Sequence, residues 1–219
     1  RIKQPEIIYE DEAIIVCRKE AGVAVQTARA GQADVVSLLK NYRAKKKEEP
    51  YIGLIHRLDQ PVEGVMVFAK TPQATAKLSA QVSSRSMEKE YLAVTTGVPE
   101  PQKGELRDWL LRDGKTNTSA VVARGTSQAK EAVLDYEVEQ VLEDGQQALV
   151  HIWLHTGRHH QIRVQLASIG CPIVGDTKYN PELTGNKGWQ TIRLCAYKLD
   201  FKHPVTHKAM HFQLEADPA

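Results

Sequence analysis

The sequence predicts an α+β domain, with helices flanking a mixed and largely antiparallel central sheet, and it predicts that residues 1–219 form a single domain. Two observations carry this prediction. Strand-like and helix-like segments follow one another without the regular alternation of a doubly wound parallel sheet. Asp144-Gly145, set between two strand-like segments, is a hairpin signal, and hairpins join antiparallel neighbours.

The elements follow in order. Ala13-Ile14-Ile15-Val16-Cys17 is a continuous apolar run of strand length that enters a loop at Gly22-Val23-Ala24-Val25. Asp34 is placed to cap a helix whose apolar positions Val35, Leu38, Leu39 and Tyr42 recur at helical spacing, before a basic loop that ends at Pro50. Residues 64–70 hold Val65, Met66, Val67 and Phe68 in succession, which predicts a strand buried on both faces. Thr71-Pro72 supplies an N-cap and a first-turn proline, and Ala74, Leu78 and Val82 lie four apart, so a helix is expected over 72–86. Strands are expected over 91–96, 133–141 and 148–154, with the Thr-, Ser- and Gly-rich stretch 112–128 as a loop or irregular ribbon. Thr156 is the expected cap of a third helix with Ile162, Leu166 and Ile169 on one face, stopped by Gly170 and Pro172. Residues 193–201 and 209–214 read as the last two strands.

Composition excludes several classes. With 219 residues, 42% hydrophobic and 26% charged, the chain can bury a proper core, and no apolar run approaches the roughly 20 residues of a membrane-spanning helix. Arg1-Ile2-Lys3-Gln4-Pro5 lacks the apolar centre of a signal peptide, and the expected location is cytoplasmic. Cys17, Cys171 and Cys195 are odd in number with no C-x-x-C spacing, which argues for reduced structural thiols. The net charge of +2 does not announce a polyanion partner, so local clustering must carry that case. Arg43 to Lys47, followed directly by Glu48 and Glu49, reads as a solvated loop. Phosphate-loop, dinucleotide and nucleophile-elbow glycine motifs are all missing. His155, His159 and His160 lack metal-site spacing and a neighbouring carboxylate, so no metal is expected.

Two segments exceed what hydrophobic patterning requires. His56-Arg57-Leu58-Asp59 precedes the buried strand, where a plain surface ion pair would contribute little. Gly157-Arg158-His159-His160-Gln161-Ile162-Arg163 places cations at an expected helix N-terminus, against the macrodipole, as a site for an anion would.

Together these segments resemble the RluA-type family of RNA pseudouridine synthases. The H-R-L-D motif matches His56 to Asp59, K-x-Y matches Lys89-Glu90-Tyr91, and G-R-x-H-Q-I-R matches Gly157 to Arg163. G-x-P-I-x-G-D-x-x-Y matches Gly170 to Tyr179, and Leu194 to Leu199 with His203-Pro204 is similar to the family's last core strand and turn. The resemblance extends over nearly the whole chain. It implies the family's catalytic fold with a central active-site cleft, and an isomerase that converts uridine in transfer or ribosomal RNA to pseudouridine without cofactor or metal. Any upstream RNA-binding domain would lie outside these residues.

Carried over residue by residue, the resemblance implies that Asp59 is the catalytic carboxylate, Arg163 the cation that pairs with and orients it, and Tyr91 the active-site tyrosine that stacks on the base. It implies that Leu194 floors the pocket, that Arg57 fills the space a flipped uridine vacates, and that Arg158 and Lys89 contact phosphates. Three departures stand out. Val62-Glu63 replaces a frequent Thr-Ser, Arg18-Lys19-Glu20 replaces N-K-P, and Gln165 replaces a frequent histidine. Glu63 sets a negative charge near the expected RNA path. The rival expectation is an RNA-binding relative that has kept the fold and lost catalysis.

Overall fold

The computed structural model describes residues 3–183 and 191–215; Arg1 and Ile2, part of the segment read for a leader, lie outside the described residues. Along the chain, β1 (Glu6–Glu10) and β2 (Ile14–Lys19) pair antiparallel. Helix α1 (Val35–Lys45) starts at Asp34, whose carboxylate accepts the Ser37 amide at 2.7 Å, as expected of a cap. The helix takes in Arg43 to Lys45, which the sequence had suggested were loop, because cations suit the last turn of a helix. Arg43 is buried and donates to the Tyr51 and Lys70 carbonyls at 2.6 and 3.0 Å.

Strands β3 (Gly53–Leu54) and β4 (Glu63–Ala69) precede α2 (Pro72–Ser83), whose cap, the Thr71 hydroxyl, accepts the Ala74 amide at 3.1 Å. This helix stops three residues short of the expected end, and Arg85 just beyond it is left-handed at φ 60°. Strands β5 (Glu88–Thr96), β6 (Lys103–Asp113), β7 (Thr118–Val122), β8 (Lys130–Leu142) and β9 (Gln147–Leu154) follow, then α3 (Gln161–Ser168), β10 (Leu194–Lys202) and β11 (Ala209–Gln213).

One expectation is narrowed and one needs correction. Of the two readings of residues 112–128 the ribbon holds in part, since β6 and β7 pair antiparallel from Trp109↔Val122 to Asp113↔Thr118, with turn and loop on either side of β7. Most of β6 is solvent-exposed, so it carries no apolar alternation to reveal it. Thr156 does not cap α3, because the helix begins after His160, which is left-handed at φ 54°. The Thr156 hydroxyl instead donates to Gln161 Oε1 at 2.7 Å and accepts the Val133 amide at 2.9 Å. Arg158, His159 and His160 therefore sit on a loop before the helix.

The chain divides into two compact units. The first holds residues up to Glu88 together with Ala196–Glu215, with strand order β1-β2-β4-β10; β3 pairs with β4, and β11 with β10. Ile14, Val16, Val65, Val67 and Phe201 form its core with Ala74 and Leu78 of α2. Each large side chain buried there contributes about 1.5–3 kcal/mol. Gly64 lets β10 pass closely, since a Cβ there would stand 2.7 Å from the Ala196 carbonyl oxygen. In the second unit, Lys89–Cys195, the order is β5-β9-β8-β6-β7, and every one of these pairings is antiparallel. There Val164 of α3 packs on Leu110 and Ala132, with Tyr179 beside them. Mostly antiparallel sheet, with three α-helices among the described residues, is the α+β class the sequence predicts. No helix among the described residues is long and apolar enough to cross a membrane.

Candidate active site

In the first unit, the segment before β4 is held by polar groups rather than by apolar packing alone. His56 Nε2 accepts the Val67 amide at 3.1 Å, Leu58 is buried, and the Asp59 carbonyl accepts the Val62 amide at 2.9 Å, closing a turn over Gln60-Pro61. The Asp59 side chain is half-buried. Lys19 braces this turn. It is fully buried, and its ammonium donates to the carbonyls of Glu20 (2.9 Å), Val23 (2.6 Å) and Gln60 (2.9 Å). All three of its protons are thereby used. Burial pulls the Lys19 pKa down to about 8, against the nearby Asp59 and Glu63 carboxylates, which favour its charge. Gln60 locks the same corner, its carbonyl accepting the Gly22 amide at 2.8 Å and its side-chain amide donating to the Gly22 carbonyl at 3.0 Å. Arg57 is exposed and donates to Gln26 Oε1 at 3.0 Å. Arg18 donates to Glu63 at 2.8 Å, so two of the departures from the family pattern meet as an ion pair.

In the second unit, β5 pairs with β9 with Lys89 opposite Leu154 and Tyr91 opposite Ile152, so Lys89 and Tyr91 project from one face of the strand. Tyr91 is buried. The Lys89 ammonium, whose pKa burial lowers, lies 3.3 Å from where a Cβ on Gly157 would stand. Arg158 is fixed by donation from its Nε to the Glu131 carbonyl at 2.8 Å. Leu194, the first residue of β10, is buried.

Arg163 is 3% exposed and makes a side-on pair with Asp176, its Nε and one terminal nitrogen each 2.9 Å from a carboxylate oxygen. Such a fork fixes both position and plane. Asp176 is in turn held by the Lys178 and Tyr179 amides at 3.0 and 3.3 Å, and the Arg163 guanidinium lies 5.2 Å from the Tyr179 ring centre. The Tyr179 hydroxyl accepts the Ser119 amide at 2.9 Å and lies 2.6 Å from His160 Nδ1. Burial, then Arg163, His159, Lys178 and Arg112, hold the His160 pKa at about 2, so the ring is neutral.

The predicted residues thus fall into two groups, Arg57 and Asp59 in the first unit, and Lys89, Tyr91, Arg158, Arg163 and Leu194 in the second. Sequence reasoning missed Lys19 and Asp176. Lys19 was hidden in a charged triplet that looks like surface. Asp176 lay inside a quoted motif, and its signal is a carboxylate directly after Gly175, which is left-handed at φ 84°. The histidines singled out have other partners, His155 with Asp135, His159 with Ser119 and Asn117, and His160 with Tyr179. Among the described residues no His, Cys, Asp and Glu group is arranged to hold a metal. All three cysteines are buried, and none forms a disulfide among the described residues.

Residues 13–168 match the family model described as RNA pseudouridylate synthase. An RNA pseudouridine synthase of Bacillus subtilis, itself described as uncharacterized, is 33% identical over 92% of this chain and 65% of its own length. The ribosomal large subunit pseudouridine synthase D of Pseudomonas aeruginosa is 35% identical over 95% of this chain and 67% of its own. Among solved structures, human RNA pseudouridylate synthase domain containing 4 superimposes with a TM-score of 0.77 at 25% identity, covering 97% of this chain and 88% of that one. The chain spans 65% and 54% of the length of the first two curated relatives it matches. A carboxylate on a braced turn, a tyrosine and lysine on one strand face, and a forked arginine all stand where the motifs of the RluA-type pattern fall, and the chain belongs to the RNA pseudouridylate synthase family.

Proposed function

We propose that this chain isomerises specific uridines in RNA to pseudouridine, acting in the cytoplasm as one catalytic domain with Asp59 as its carboxylate. The observation that carries the reading is the family match over 13–168, within which Asp59 stands on a turn that Lys19 and Gln60 keep from drifting. In the reaction the C1′–N1 bond breaks, the base turns while bound, C1′ joins C5, the C5 proton is lost to solvent, and N1 ends carrying a proton in its place. This exchange of one glycosidic bond for another transfers no electrons and calls for no redox cofactor. Asp59 acts on the sugar or the base as nucleophile or proton acceptor. Arg163 serves as the cation that favours the ionised carboxylate, Tyr91 stacks on the uracil, and Leu194 floors its pocket. Arg57 fills the gap left by the flipped nucleotide, at a cost of a few kcal/mol that phosphate contacts from Arg158 and Lys89 help to offset.

The substrate is an RNA of the transfer or ribosomal class. The test is release of tritium from RNA labelled at uracil C5. Wild-type protein is expected to release it and Asp59→Asn to release none while still binding RNA. No release by wild type from any cellular RNA pool would sink the reading and favour an RNA-binding relative without catalysis.

A further inference from the structure

The second unit carries a hollow of about 270 Å³ between the β6–β7–β8 ribbon and the loop that leads into α3. Arg112, Lys130 and Arg158 line it, with Ser119, Gly157 and His159 beside them, and among the described residues none of its lining is acidic. Several cations elsewhere in the fold face carboxylates. Arg18 meets Glu63, Arg43 meets Glu48, Lys70 meets Glu10, and Arg107 meets both Glu105 and Glu131. Arg112, Lys130 and Arg158 have no ion pair among the described residues. Of the acids next to them in sequence, Glu131 gives its carboxylate to Arg107 at 2.6 Å and only its carbonyl to Arg158, and Asp113 accepts the Lys115 amide at 2.9 Å.

That carbonyl holds Arg158 by Nε, which leaves both terminal nitrogens of the guanidinium for an outside acceptor. Arg112 has one long contact, 3.5 Å to Asn117 Oδ1. Three like charges around one hollow repel each other, and an anion between them removes that cost. Lys89 adds a fourth cation beside this loop, its ammonium 3.3 Å from where a Cβ on Gly157 would stand. Several cations around one hollow and its rim suit a strand of phosphates better than one small ion.

We propose that this hollow is an RNA phosphate site, in which Arg112 and Lys130 join Arg158 in holding the backbone of the strand that carries the target uridine. The inference rests on the RNA-acting reading above, and it adds two residues and a cavity that the family motifs do not include. Both side chains are exposed, so they can be removed without opening the core.

The experiment measures binding of a fluorescent uridine-containing RNA hairpin across a salt series. The proteins compared are wild type, Arg112→Ala/Lys130→Ala, and the charge-keeping Arg112→Lys/Lys130→Arg. The alanine pair is expected to bind about tenfold or more weakly at low salt, with the slope of log affinity against log salt reduced by about 1.5, and the charge-keeping pair to retain the wild-type slope. Equal affinity and slope in the alanine pair would overturn the proposal. So would loss of inorganic phosphate binding in that pair with hairpin binding unchanged, which would mark a small-anion site. Tritium release separates the two readings. Wild type that binds with the expected salt slope but releases no tritium defeats the activity and leaves this site standing. Wild type that releases tritium, with unaltered hairpin binding in the alanine pair, defeats only the site.

Discussion

The Arg18 guanidinium donates to the Glu63 carboxylate at 2.8 Å, joining two positions at which this chain departs from its family's pattern. Both side chains are about one-third exposed, so the pair itself contributes less than about 1 kcal/mol. Its effect is to cancel a negative charge near the expected RNA path. Arg18→Ala is expected to leave the melting temperature within about 2 °C while weakening RNA binding several-fold. Arg18→Ala/Glu63→Ser should recover most of that binding. A double variant no better than the single one would show that Arg18 itself touches RNA.

Lys19 is expected to act on the reaction by positioning Asp59. A neutral amine can donate only two of the three hydrogen bonds that hold the Glu20, Val23 and Gln60 carbonyls, so activity should fall as pH rises through about 8. Stability should move the other way. The folded pKa lies below the ordinary value of 10.5, so the unfolded chain binds the proton more tightly and raising the pH from 8 to 10.5 favours the fold. Lys19→Met is predicted to lower kcat at least tenfold with KM within about threefold, and to remove this limb of the pH profile. A retained limb would assign it to another group.

Asp176→Asn would remove the buried carboxylate that the Arg163 fork grips. Breaking a buried pair from one side costs about 3–5 kcal/mol, so thermal unfolding should shift down by roughly 6–15 °C. Arg163→Lys keeps a charge but loses the fork, and should lower kcat at least tenfold while lowering the melting temperature less than Asp176→Asn does. An unchanged kcat in Arg163→Lys, with a melting temperature as low as that of Asp176→Asn, would reduce the pair to scaffolding.

Gly64→Ala places a Cβ 2.7 Å from the Ala196 carbonyl oxygen and 3.0 Å from its Cα. Backbone atoms cannot step aside as a side chain can, so a loss of about 2 kcal/mol or more is expected by urea denaturation. Ala196→Gly should not rescue it. Rescue would mean that the Ala196 methyl is the whole obstacle.

What the sequence made legible follows burial. β2 and β4 are enclosed on both faces and declare themselves as apolar runs, and Asp34 and Thr71 cap their helices where short polar side chains should. β6 leaves most of its side chains in solvent, so nothing in its pattern separates strand from loop. The Thr156 hydroxyl has a stronger commitment to Val133 and Gln161 than to a helix end, a long-range choice no local rule contains. The proposed site residues were readable as motifs, whereas the contacts that hold them were not. Lys19 finds an acceptor forty-one residues away and Asp176 a partner thirteen residues back, and only the folded chain brings these together.

The ring of His160 has a further consequence. With its pKa near 2, it exchanges no proton anywhere between mild acid and mild base. We assign the Tyr179 hydroxyl as donor to Nδ1, so the relay from the Ser119 amide through tyrosine to imidazole runs in one fixed direction. A titration seen in the rate of the proposed isomerisation would then have to come from groups other than His160.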